Sequence, residues 1–349
     1  MTKLFRKHKL ALFGAGILFI LYFCAIFADF ISPYGYSTQN RDKNYHPPTR
    51  IHFFESNEKF HIRPFIYGTS GEINTETFQK NYTINTGDKY FVRFLVRGED
   101  HLFLGIFKTN IHLFGVDEPG RIFIFGSDYL GRDIFTRILY GSRISLSIGL
   151  IGVFISFLIG MVVGGVSGYF GGWADNLIMR FCEIIMSFPH FYLLLALRAA
   201  FPPNLSSVTI YILIIIAMSF IEWAGMARIV RGMVLSLREE EYVLGAKAVG
   251  ASSWRIIYRH ILPNTMSYAI ISATLSIPGY ILGESALSLL SLGIMEPQAS
   301  WGNMLSVAKS VNVLTNFPWV LTPGVFIFAA IMAFNFLGDG LRDILDPKL

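Results

Sequence analysis

Three charges set in apolar runs, Arg198, Glu222 and Glu284, are the residues best placed to do chemistry inside this chain. A charge held in hydrocarbon costs at least about 2.5–3.5 kcal/mol, so each should face a bundle interior or a watery path. Two roles fit Glu284: lining the route of a polar substrate, or bonding a neighbouring helix. Arg198 and Glu222 have the further option of reaching an interface. Covalent and metal chemistry find no footing. No G-x-x-x-x-G-K-[ST] phosphate loop occurs, nor H-E-x-x-H, nor G-x-S-x-G. The two cysteines, Cys24 and Cys182, lie in or beside apolar runs and suggest neither a disulfide framework nor a metal site. Most of the histidines precede residue 113, without metal-ligand spacing. Nucleotide hydrolysis by this chain alone and a membrane-enzyme activity are both disfavoured.

A second constellation is the stretch REEEYVLGAKAVGASSWRIIYRHILPN, Arg238 to Asn264, flanked by long apolar runs. Glu239, Glu240 and Glu241 suit the positive end of a helix starting there. Leu244, Gly245 and Ala248 give it a small, apolar face, and Ala246 and Gly250 stand four apart. Gly250 can end the helix in a left-handed conformation. Ser252 or Ser253 can cap a second short helix near Trp254. Pro263 does not fit a continuing helix and marks entry to the next apolar run. Helix, glycine corner and second helix make a compact knob whose small residues admit insertion into a groove on another protein. A solvated loop has no need of this pattern.

The elements that position these residues follow from composition. Of 349 residues, 53% are hydrophobic and 15% charged, against about 25% charged in a soluble domain. An integral membrane protein follows. About 20 apolar residues cross the hydrocarbon as a helix, and six segments qualify: Leu10–Ile31, Ile144–Gly168, Ile184–Phe201, Val208–Ala227, Thr265–Gly293 and Leu321–Leu337. Pro189 and Pro323 weaken the third and sixth, and Pro278-Gly279 suggests a kink in the fifth. The first run follows a basic MTKLFRKHK but exceeds a signal core in length. No small-x-small cleavage site follows it, and Leu21-Tyr22-Phe23 before Cys24 is too bulky for a lipoprotein site, so it is expected as a retained span.

Orientation follows from charge. With the N-terminus in the cytoplasm, the inner segments carry Lys3, Arg6, Lys7, Lys9, Arg180, Arg228, Arg231, Arg238, Lys247, Arg255, Arg259, Arg342 and Lys348. The short outer loops, about 202–207 and 294–320, carry only Lys309. That asymmetry places both termini and the knob inside. It also accounts for the net charge of +5 without a nucleic-acid partner.

Gly160, Gly164 and Gly168 form a small-xxx-small face for close approach of another helix. Residues 32–125 differ in composition and are expected as a small β-rich extracytoplasmic insertion, with strands at Lys89–Gly98 and Arg121–Gly126. Its role is docking a partner or packing over the bundle. Residues 126–143 are expected to form an interfacial amphipathic helix, with Leu130, Ile134 and Ile138 on one stripe and Arg132, Asp133 and Arg137 facing elsewhere. A soluble helix packed on the insertion is the alternative. The domain plan is therefore 1–31, 32–125, 126–143 and a five-helix core at 144–349 that includes the loop at 238–264.

Glu241-Tyr242-Val243-Leu244-Gly245-Ala246, followed by Gly250 and Leu262-Pro263, resembles the EAA loop of ABC importer permeases. More narrowly, the chain is similar to the C-type permease subunit of dipeptide/oligopeptide importers. GSDYLGRDIFTRILYGSRISLSIGL (126–150), GYFGGWAD (168–175), ESALSLLSLGIMEPQASWGNML (284–305) and GDGLRDILDP (338–347) carry that likeness. One departure is Leu244-Gly245-Ala246 where the family has Glu-Ala-Ala, which removes a charge from the knob. The insertion is also longer than the common family pattern.

The resemblance implies an all-α polytopic fold of the type I ABC importer permease kind in a bacterial inner membrane. It implies a homologous second permease subunit, two ATPase subunits that bind ATP and Mg, and an extracytoplasmic solute-binding protein. Glu241, Gly245, Ala246, Gly250, Ser253, Arg255 and Pro263 would form the ATPase-coupling surface, and Glu284, Glu222 and Arg198 are the candidates for the path. Peptide is the expected cargo, with oligosaccharide or nickel as alternatives. Nickel would want His or carboxylate clusters, and the spans hold only His190. A stand-alone channel or secondary transporter would need coupling carboxylates or an inverted repeat, and no repeat is evident.

Overall fold

The computed structural model describes residues 8–55, 60–75, 79–103, 105–202 and 205–345. Lys3, Arg6, Lys7, Lys348 and the Asp346-Pro347 end of the last motif lie outside the described residues. The chain divides into two compact units. One comprises Met1–Phe19, Leu146–Leu287 and Phe328–Leu349; the other comprises Ile20–Ser145 and Ser288–Ile327.

Among the described residues, five helical stretches are long and apolar enough to cross a membrane, or six counting one bent pair. The first is α1 (Lys9–Ile26), prolonged by a helical turn at Ala28–Ile31. The second, α2 (Ile134–Phe170), runs unbroken for 37 residues. At 1.5 Å per residue it measures about 55 Å, against about 30 Å of hydrocarbon, so its ends stand outside the bilayer. A separate interfacial helix over 126–143 is therefore not present. Residues 126–133 form turns and an isolated bridge between Ser127 and Asp133, and 134–143 are the first turns of α2. Asp133 starts the helix, its Oδ2 accepting from the Thr136 amide at 2.9 Å and hydroxyl at 2.7 Å.

The third expected span is bent. α3 (Gly172–Ser187) and α4 (His190–Ala199) meet at 85°. Pro189 lies at that corner, where its ring and missing N–H cannot continue α3. The fourth, α5 (Ser207–Leu237), is capped by Ser206, which accepts from the Thr209 amide at 3.2 Å. It outruns the expected end at Ala227, so Arg228 and Arg231 ride on the helix. α6 (Glu241–Ala248), a helical turn at Ser253–Ile256 and a wide π-turn at Ile257–Ile261 lead into α7 (Leu262–Leu289). α8 (Thr322–Leu345) holds Pro323 in its first turn, where a missing N–H leaves no helical bond unmade.

The glycine stripe of α2 packs inside the chain. A Cβ on Gly164 would meet Val230 Cβ at 2.9 Å and Ala227 Cα at 3.1 Å; one on Gly168 would meet Val234 Cβ at 2.8 Å. α2 and α5 thus approach backbone to backbone. Around that contact Met161, Met226, Val230, Val234, Val243, Ile256 and Ile261 form a buried core. Cys182, a free thiol, is buried with Ile185, Trp223 and Ala224.

Among its described residues the insertion carries two antiparallel sheets. β1 (His52–Phe54), β2 (Phe60–Ile73) and β3 (Lys80–Phe91) form one, and β4 (Arg93–Phe103) and β5 (Phe107–Gly115) the other. The strand expected at Lys89–Gly98 is the junction of β3 and β4, divided at the buried Val92. The strand expected at Arg121–Gly126 does not form. Ile122 and Phe123 are buried there, but their amides donate to the Tyr34 hydroxyl at 2.8 Å and Thr49 Oγ1 at 3.0 Å. Two side-chain oxygens and the Thr49 amide, which donates to Phe123 O at 2.8 Å, take the place of a partner strand.

Candidate functional site

The knob has the geometry its sequence suggests, with one difference, at Pro263. α6 starts after extended Glu240 and carries Glu241 in its first turn. Gly250 has φ +80°, its amide donates to Lys247 O at 3.0 Å, and that of Ala251 reaches back to Ala246 O at 3.1 Å. That pair of bonds closes a helix ending on a left-handed residue. Ser252, not Ser253, caps the next turn, accepting from the Arg255 amide at 3.4 Å, and Ser253 is its first helical residue. Pro263 does not break the chain's helical course. The wide turn at Ile257–Ile261 spreads the backbone just ahead of it and relieves the ring's clash with the preceding turn.

One face of the knob is rooted and the other bare. Val243, Ile256 and Ile261 are buried against Met161 of α2 and Val230 and Val234 of α5. Asn264 Nδ2 braces the base, donating to His260 O at 2.7 Å and the Tyr242 hydroxyl at 3.2 Å. Outward, Val249, Trp254 and Tyr258 are 85%, 63% and 79% exposed. Glu241, Gly245, Gly250, Arg255 and Pro263 are also exposed, with Ala246 and Ser253 intermediate. Among the described residues, no atom beyond the local backbone lies within 4 Å of a Cβ placed on Gly245 or Gly250. Exposed apolar side chains thus stand among charged ones on this face.

The three candidate path residues separate. A cavity of about 340 Å³ opens beside α4, α5 and α7, lined among others by His190, Met218, Glu222 and Gly283. Glu222 Oε1 lies 3.1 Å from His190 Nδ1 there. Glu284 is fully buried and Arg198 is 6% exposed with its guanidinium 5.8 Å from the Phe201 ring centre. Neither lines this cavity. The α7 face toward it is Gly279, Leu282, Gly283 and Ala286, from whose centre Glu284 is turned by about 150°. Sequence reasoning noted His190 only as a lone histidine, because its partner is 32 residues away.

A further cluster was missed. Arg132 and Arg137, expected off the apolar stripe of an amphipathic helix, are 2% and 1% exposed. Arg132 Nε donates to Asp128 Oδ2 at 2.7 Å, and both guanidiniums reach Glu296, Arg137 Nη2 to Oε1 at 3.1 Å. Two buried cations are tolerable only with such partners. The Trp301 indole, fully buried nearby, donates to Ile138 O at 3.1 Å. Local sequence gives no sign that Glu296 returns to this point.

Residues 1–48 match the N-terminal TM domain of oligopeptide transport permease C; residues 49–133, which hold most of the insertion, fall between the two matched regions. The chain is 46% identical to the dipeptide transport system permease protein DppC of Bacillus subtilis over 226 residues, 64% of this chain and 68% of that one. It is 45% identical to the oligopeptide transport system permease protein OppC of Haemophilus influenzae over 225 residues, 64% of this chain and 70% of the other. A crystal structure of an amino acid ABC transporter with histidines overlays on 60% of this chain and 94% of that one at 13% identity, with a TM-score of 0.44. With residues 134–349 matching it, the chain belongs to the family of binding-protein-dependent transport system inner membrane components.

Proposed function

We propose that this chain is a permease subunit of an ATP-driven peptide importer, forming half of a path across the membrane with a homologous second permease. Two separate ATPase subunits, which carry ATP and Mg, engage it through the knob at 238–264. A solute-binding protein on the insertion's side delivers the cargo, and both termini lie in the cytoplasm. Closure of the ATPases would push the knob and switch the path between its two open states. The names of the dipeptide and oligopeptide relatives support a peptide cargo.

The knob carries this reading. Its bare glycine corner and apolar outer face suit a groove on a partner, while Val243, Ile256 and Ile261 root it in the core between α2 and α5. A push on Trp254 or Val249 would therefore reach the transmembrane helices through packed side chains. With Leu244 in place of a glutamate, docking rests on shape and on charges such as Glu241 and Arg255.

Gly245→Trp tests it. Among the described residues, nothing beyond its own helical backbone lies within 4 Å of a Cβ there, so the variant should fold and insert normally yet lose transport or release its ATPases. Normal uptake with ATPases bound would overturn the coupling role.

A further inference from the structure

The β4–β5 hairpin ends in an apolar tip that touches the end of a membrane span. Phe103 pairs with Phe107 across the hairpin. The Phe103 ring lies 6.0 Å from that of Phe27 and 6.4 Å from that of Phe30, and the Phe27 ring lies 4.6 Å from that of Phe23 on α1. Phe23, on the apolar surface of α1, is itself 46% exposed. A continuous aromatic strip therefore climbs from the side of the first span onto the hairpin. Beyond it Ile106 and Phe107 are 73% and 63% exposed, with Leu102 beside them at 55%.

The depth of this tip follows from α1. The apolar run begins at Leu10 and ends at Ile31, and at 1.5 Å per residue it spans about 33 Å, close to the hydrocarbon thickness of about 30 Å. Phe27 is four residues from that end, so the tip that touches it lies within about 6 Å of the membrane boundary. Exposed isoleucine and phenylalanine at that level meet acyl chains and headgroups rather than bulk water. Lys108, 74% exposed and 3.1 Å from Asp100, follows directly, where an ammonium suits the headgroup layer.

We infer that the β4–β5 tip is a lipid-binding element, immersed in the leaflet on the insertion's side of the membrane through Leu102, Phe103, Ile106 and Phe107. It tethers the insertion to the bilayer beside α1 and so fixes where this domain stands over the membrane. A protein covering the tip would need no match in level between the tip and the end of α1; a lipid surface requires one.

The test uses the full chain in vesicles of phosphatidylethanolamine and phosphatidylglycerol. In a Cys24→Ser/Cys182→Ala background, spin labels are placed at Ile106→Cys, Phe107→Cys and, for comparison, Thr86→Cys among the polar residues of β3. Labels at 106 and 107 should be relaxed strongly by oxygen, which concentrates in acyl chains, and weakly by a water-soluble nickel complex, the reverse of position 86. Nickel access at 106 and 107 equal to that at 86 would overturn the proposal. So would shielding from both reagents, the mark of a protein cover. Should the cysteine-replaced background fail to fold, Ile106→Trp in the native chain gives a second reading. Brominated lipids should then quench more emission than in the parent, and no added quenching would overturn the lipid contact.

Discussion

Arg231 of α5 clamps Asp175 of α3 with two hydrogen bonds, Nε to Oδ1 at 2.9 Å and Nη2 to Oδ2 at 2.5 Å. Ser167, near the end of α2, donates to the same Oδ1 at 2.5 Å. Three helices are therefore tied through one carboxylate that is 8% exposed, while the arginine is 33% exposed. A bidentate arginine–carboxylate pair fixes geometry as well as charge. Asp175→Asn leaves the guanidinium facing a neutral group and should lower stability by about 1–3 kcal/mol. A double-mutant cycle with Arg231→Met, read from thermal unfolding in detergent, should return a coupling energy near the lower end of that range. Additive effects would show that the clamp holds nothing.

The α2–α5 contact makes a sharper prediction at Gly164. A Cβ there meets Val230 and Ala227 at or below 3.1 Å, and the neighbours are backbone and branched side chains with no room to yield. Gly164→Val should cost about 1–3 kcal/mol by overpacking, seen as a lower melting temperature and a smaller monodisperse fraction. The matching change at Gly225, with nothing within 4 Å of its Cβ, should do neither.

The insertion should weaken in mild acid through His46. This residue is 3% exposed, with Nδ1 2.6 Å from Pro47 O and Nε2 2.9 Å from Thr69 Oγ1. Burial pushes its pKa down to about 4, with Lys43 adding to the effect and the Pro47 carbonyl opposing it. An unfolded histidine titrates near pH 6.5, so between these values the unfolded chain binds the extra proton. The contribution of His46 is therefore complete above about pH 6.5 and declines as pH falls toward 4, by up to about 1.4 kcal/mol per pH unit. Against His46→Gln, which cannot titrate, the native chain should lose ground only below pH 6.5 in thermal unfolding scans. Parallel curves from pH 7 to 4 would mean that His46 is not held neutral.

Sequence revealed those features that local chemistry decides. The apolar runs announced the spans because about 20 hydrophobic residues have few other uses. The corner at Gly250 was legible because left-handed backbone after a helix favours glycine. What stayed hidden depends on distant partners. The burial of Arg132 and Arg137 was hidden because Glu296, more than 150 residues away, is the group that neutralises them. The β-forming run at Arg121–Gly126 looked like a strand because nothing local shows that Tyr34 and Thr49 take its amide protons. Pro189 weakened the third span in the sequence, but only the fold shows an 85° corner there.

The two glutamates singled out for the path should behave differently. Glu222 borders an open cavity and faces His190 at 3.1 Å, so cargo passing that cavity would meet its charge directly. Glu222→Gln keeps the hydrogen-bonding shape and removes the charge. Uptake kinetics should change severalfold with little loss of folded protein. Glu284 is fully buried on a different face of α7, next to Ser285 and away from the cavity. Truncating it to alanine removes a buried acceptor of the Ser285 hydroxyl, which costs about 1–3 kcal/mol. Glu284→Ala should therefore lower the yield and melting temperature of the folded chain, with uptake per folded molecule nearly unchanged. Radiolabelled peptide uptake normalised to folded protein separates the two effects. If Glu284→Ala alters only uptake and Glu222→Gln alters only yield, the cavity beside α4 is not the path, and the route runs past the other face of α7.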